Sequence, residues 1–77
     1  MLSEVERLIL RRRWILRQLR YFEERYMMDS REFYERWCRG EIPEPLDPHV
    51  HGDFIVWYGL VEELCRLERE LTRVFRK

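Results

Sequence analysis

Residues 49 to 53 read His49-Val50-His51-Gly52-Asp53, two imidazoles and a carboxylate that could supply ligands to a divalent metal. The run sits in a proline loop with no further ligand at helical or zinc-knuckle spacing. His49 and His51 therefore read as surface loop residues, Asp53 as a helix cap, and no metal is expected. Cys38 and Cys65 have neither C-x-x-C spacing nor a neighbouring histidine, so they form no zinc knuckle, disulfide framework or activated nucleophile and read as buried free thiols. Glu23–Glu24 and Glu62–Glu63 could suggest paired-carboxylate chemistry. Adjacent helical residues point about 100° apart, however, which divides each pair between two faces. There is no glycine-rich phosphate loop. No catalytic residues and no cofactor are expected, and the reading is of a chain that is not an enzyme.

The elements that carry these residues have clear punctuation. Ser3 and Glu6 make an S-x-x-E capping box, after which Val5, Leu8, Arg12, Ile15, Leu19, Phe22 and Tyr26 recur at alternating spacings of three and four. This predicts a helix over about 3–27. Asp29 or Ser30 can cap a second helix over about 30–39, with Glu32 completing a D-x-x-E box and Gly40 at the expected left-handed stop. Residues 41–53 hold all three prolines, four carboxylates and no Lys or Arg, and read as an extended acidic connector. Asp53 then caps a third helix over about 54–76, in which Trp57, Leu60, Leu64, Leu67, Leu71 and Val74 repeat the three-four spacing. The expectation is an all-α fold, a single domain over 1–77 with two long antiparallel helices and a short middle one.

If the long helices run antiparallel, residues at one level have numbers summing to about 80 under equal rise. Arg12 then faces Glu68, each inside the apolar stripe of its own helix. That predicts a partly buried ion pair that fixes register. With Val5 as zero, the main stripe of the first helix spans about 260° through 0° to 40°, while Leu10, Trp14, Tyr21 and Met28 gather at about 140° to 180°. This second stripe is covered either by helix two, through Phe33, Tyr34 and Trp37, or by another chain. Arg13, Arg17 and Arg20 form a strip at about 60° to 120°, where like charges adjoin. Helix two instead offers neutralising pairs at four-residue spacing: Arg31–Glu35, Glu32–Arg36 and Glu35–Arg39.

Seventy-seven residues with 15 cations against 15 carboxylates provide no net field for nucleic acid or an anionic membrane, and no groove-reading motif is present. Nucleic acid is not the expected partner. No apolar run approaches the about 20 residues of a membrane span, and no signal-peptide core follows Met1; the expected location is cytoplasmic. The Arg- and Glu-rich composition, with no Ala or Asn, resembles that of heat-adapted proteins. A chain this short buries only about 60% of its unfolded surface, so its stability is expected to be shared with a partner or a second copy.

RYMMDSREFYERWCRGEI followed by DFIVWYGLVEEL resembles a group of small prokaryotic proteins regarded as antitoxins of type II toxin–antitoxin pairs. The matching positions are Arg25, Tyr26, Met28, Ser30, Glu32, Phe33, Tyr34, Arg36, Gly40, Glu41, Ile42, Asp53, Phe54, Trp57 and Leu60, and the match spans roughly residues 20 to 64. The resemblance departs at PEPLDPHVHG, inserted where the group has a short acidic link, and at Asp29, where a small residue is common. It implies a partner-binding role toward a nuclease or nucleotide-modifying toxin. The candidate docking residues are Leu10, Trp14, Tyr21, Arg13, Arg17 and Arg20, with Phe33, Tyr34 and Trp37 as a second anchor group. The alternative is a self-associating helical module, a homodimer or higher, without a toxin.

Overall fold

The computed structural model describes residues 1–76 and is all-α: α1 spans Glu4–Tyr26, α2 Ser30–Cys38 and α3 Pro48–Phe75. At the start of α1 the Ser3 hydroxyl accepts from the Glu6 N–H at 3.1 Å and the Glu6 carboxylate accepts from the Ser3 N–H at 3.0 Å. Two of the four orphan donors of the first turn are thereby satisfied. The helix ends at Met27, a non-glycine residue in the left-handed region (φ 54°, ψ 45°).

Asp29, not Ser30, caps α2, its carboxylate accepting from the N–H groups of Arg31 at 3.0 Å and Glu32 at 3.3 Å. Ser30 is the first helical residue and is buried. Glu32 pairs with Arg36 at 3.2 Å, while Glu23 of α1 takes the Ser30 N–H at 2.9 Å. A carboxylate of another helix thus satisfies the first helical N–H of α2, a different donor from the Asp29 N–H that the expected D-x-x-E box would have used. At the far end Gly40 (φ 72°) lets its own N–H reach the Trp37 carbonyl at 3.1 Å and the Glu41 N–H reach the Arg36 carbonyl at 2.9 Å. This is the two-bond Schellman stop.

The third helix begins six residues before the expected 54. Asp47 is its cap, accepting from the His49 N–H at 2.8 Å, and Pro48 occupies the first turn. A proline there loses no hydrogen bond and its fixed φ already suits a helix. The expected connector 41–53 therefore ends at 47, and residues 48–53 are helical. Asp53, expected to be the cap, lies inside α3, where its carboxylate accepts from the Tyr26 hydroxyl at 2.6 Å and pairs with Arg25 at 3.3 Å.

The core is densest where α2 meets the long helices. Phe33, 1% exposed, stacks on Trp57 with centroids 3.9 Å apart and planes 3° from parallel. Phe22 and Tyr26 stack on Trp57 at 5.7 and 5.8 Å. The Trp57 indole N–H donates to the Ser30 hydroxyl at 2.9 Å, so the polar edge of a fully buried ring is satisfied. Because α2 touches α3 between Phe54 and Glu62, it covers only one end of the α1/α3 pair. The other end continues as two helices around a seam of Leu8, Ile15, Leu64, Leu67 and Leu71. The molecule is elongated, 45 × 24 × 17 Å. No helix among the described residues is long and apolar enough to cross a membrane.

Candidate interaction surface

Several pairs fix the register: Tyr26 with Asp53, Phe22 with Trp57, and Arg12 Nη2 with Glu68 at 3.2 Å. Residue n of α1 thus lies near residue 80 − n of α3. The Arg12–Glu68 side chains are 41% and 47% exposed, a half-buried pair at the edge of the seam with Arg12 the more covered residue. The long side chains snorkel outward from the seam, so the pair marks the register and adds under about 1 kcal/mol.

The two sides of the α1/α3 pair differ. On one side Glu23 holds the start of α2, and Leu16 and Ile9 follow Glu23 at seven-residue steps along α1, both exposed. On the other side Arg11 grips Glu63 with two bonds, at 2.7 and 2.9 Å, and Arg25 reaches Asp53. The Arg11 guanidinium also lies 4.4 Å from the Trp14 ring centroid. Its bond to Glu63 holds that carboxylate below its ordinary range, against a smaller upward push from burial. Trp14, Gln18 and Tyr21 run along this second side, next to the Gly52, Val56, Gly59, Glu63 row of α3.

The second stripe of α1 is therefore open. Tyr21 is 53% exposed, Leu10 47% and Trp14 38%; only Met28, beyond the helix end, is packed against the core. Helix two does not cover it, because α2 docks on the opposite side and spends Phe33 on Trp57. Phe33 is consequently not available to a partner. Tyr34, half-buried, stacks on Tyr58 at 4.7 Å, and Trp37 packs at the core edge against Phe33 and Phe54. Leu16, by its angle a core position, is left 38% exposed because α2 is too short to reach its level. Together with Ile9 it forms an exposed edge of the main stripe that stripe counting had taken as covered. The signal was the ten-residue length of helix two against a helix of more than twenty.

Among the arginines, Arg20 pairs with Glu24 at 3.8 Å, and no carboxylate of the described residues lies within 4 Å of Arg13 or Arg17. The acidic connector does not answer the Arg strip. Its Glu41 is taken by Arg39 at 2.7 Å and Arg36 at 3.7 Å. Of the three expected pairs within helix two only Glu32–Arg36 forms, since Arg39 turns to Glu41 instead.

Both cysteines are exposed, contrary to the expected burial. Positions 38 and 65 sit at the margin of the α2–α3 contact, where Cys38 Sγ meets the Tyr58 hydroxyl at 3.5 Å. That contact, followed by the bond with Tyr34 and desolvation, pushes the Tyr58 hydroxyl well above its ordinary range. No cluster of three metal-ligating side chains occurs among the described residues. A cleft of about 290 Å3 at the edge of α2 is lined by Leu19, Tyr34, Val61, Leu64 and Cys65 on its apolar side and by Arg31, Glu35 and Glu68 on its polar one. Comparison with known proteins finds no matching family model, no matching curated protein and no matching solved structure.

Proposed function

We propose that this chain is a protein-interaction module of the antitoxin type, which neutralises a cognate nuclease or nucleotide-modifying toxin by covering it with the uncapped half of the α1/α3 pair. The observation that carries the reading is the exposed apolar surface of α1, with Ile9, Leu16 and Leu10 flanking the unpaired Arg13 and Arg17. Apolar anchors beside arginines are the composition of binding hot spots, and a helix with apolar residues on two sides, only one of them packed on its neighbours, has a face left to be covered. The sequence resemblance over residues 20 to 64 supplies the antitoxin class. Tyr34 and Trp37 remain as a secondary, half-buried contact.

The test is co-expression with the product of the adjacent gene. The native chain should be captured with it and relieve the growth arrest it causes. The Arg13→Glu/Arg17→Glu variant should lose both effects while keeping its helical circular dichroism. No capture of the neighbouring product, or capture unchanged by the double reversal, overturns the reading.

A further inference from the structure

The zero net charge of the chain hides a strong separation. Residues 1–20 and 61–76, the two-helix half, carry ten Arg against six Glu. Residues 21–60, the half with α2, carry four Arg against nine carboxylates. The molecule is thus a rod with about four surplus positive charges at one end and five negative at the other, along its 45 Å axis. The broad face opposite α2 carries Trp14, Tyr21 and Val56 exposed in the open. Its own charges, Arg11 with Glu63 and Arg25 with Asp53, are already paired.

We propose that a second copy of this chain covers that face, antiparallel, with α1 lying on α1. Charge decides the orientation. A twofold axis along the rod would set basic half on basic half, whereas one across the rod sets each basic half on the partner's acidic half. The register follows from the same symmetry. With α1 and α3 paired as above, the midpoint of the rod falls near Gln18, between Trp14 and Tyr21. An axis there brings Trp14 onto the partner's Tyr21. Gly59 lies at the level of Tyr21, and so of the partner's Trp14, in the same row as Val56; a Cβ there would meet nothing within 4 Å, which leaves room for the incoming ring. The outline of 45 × 24 Å exceeds the about 800 Å2 per partner that a stable dimer needs. Two such hairpins face to face form a four-helix layer. Arg13, Ile9 and Leu16 stay outside it, so the inference stands independently of toxin binding.

Sedimentation velocity across a concentration series should show a dimer that weakens between 50 and 500 mM salt, as screened end charges require. Trp14→Glu should raise the dimer Kd by about thirtyfold or more, the loss expected of a hot spot. Ile9→Glu should leave it within a few fold. In a Cys38→Ser/Cys65→Ser background, Gln18→Cys should form an interchain disulfide rapidly under mild oxidant and Arg13→Cys should not. A monomer at every concentration, a dimer indifferent to Trp14→Glu, or faster cross-linking at position 13 than at 18 overturns the proposal.

Discussion

Replacing Ser30 by Ala separates two roles that a serine at a helix start can play. As an N-cap its loss would cost about 1 kcal/mol and the cost would not depend on Trp57. In the structure Asp29 is the cap, and the Ser30 hydroxyl instead accepts the indole N–H of Trp57 at 2.9 Å inside a core where Trp57 is 0% exposed. Deleting that hydroxyl leaves a buried donor without a partner, which costs about 1–3 kcal/mol. For a chain whose whole stability is on the order of 4–12 kcal/mol, this is a large fraction, and it should lower Tm by roughly 4–8 °C per kcal/mol. The assay is urea unfolding of a double-mutant cycle at fixed protein concentration. Trp57→Phe removes the donor and keeps a ring on Phe33, so Ser30→Ala should be nearly free in that background. An equal cost of Ser30→Ala in both backgrounds would refute the assignment and return Ser30 to an ordinary capping or packing role.

Met27→Gly should stabilise the chain by about 1 kcal/mol in the same assay, because Met27 is exposed, makes the left-handed turn that ends α1 and carries a Cβ that conformation disfavours. Arg12→Ala, Glu68→Ala and the double variant should give a coupling energy under about 1 kcal/mol, vanishing in high salt; several kcal/mol would mean a desolvated pair. Glu6, Glu41 and Glu63 have folded pKa values below the ordinary 4.5. The unfolded chain therefore takes up protons first, and stability present above pH 4.5 should be lost progressively as pH falls below it. Tyr26, Tyr34 and Tyr58 are shifted upward from 10.0. For Tyr26 the leading cause is desolvation; for Tyr34 a lowering bond with Tyr58 is outweighed by desolvation and Glu62. Their contribution is complete below pH 10 and should decline as pH rises above it, with Tyr58→Phe reducing the slope in an alkaline unfolding series.

Local rules recovered most of this architecture because the signals that set it are local. The Ser3–Glu6 box, the left-handed Gly40 and the three-four apolar spacing each act within a turn or two, and antiparallel register then follows from equal rise per residue. The start of α3 was misread for a physical reason. Pro43 and Pro45 do belong to a connector, but Pro48 after Asp47 is a helix-start pair, and Gly52 is an interior helical glycine rather than loop punctuation. The placement of α2 was not legible, since which side of α1 it covers depends on a three-dimensional stack of Phe33 on Trp57 and on Ser30 meeting the indole. The charge separation was present in the sequence all along. It became visible only once residues 1–20 and 61–76 were known to share an end.

The same separation poses a hazard that the shape of the molecule resolves. A rod with opposite ends and no net charge is prone to stack end to end, and a repeating contact of that kind grows into a filament. Exposed Leu2 and Phe75 at the basic end, and Met27 and Leu46 at the acidic end, would provide some apolar contact for it. The end, however, is only 24 × 17 Å, about half the area of a stable partner surface. The broad face is more than twice as large, holds the rigid rings of Trp14 and Tyr21, and satisfies the same opposite charges when two copies lie antiparallel. Since that contact would close on itself after two chains, the proposed pairing would use up the dipole that otherwise drives end-to-end stacking.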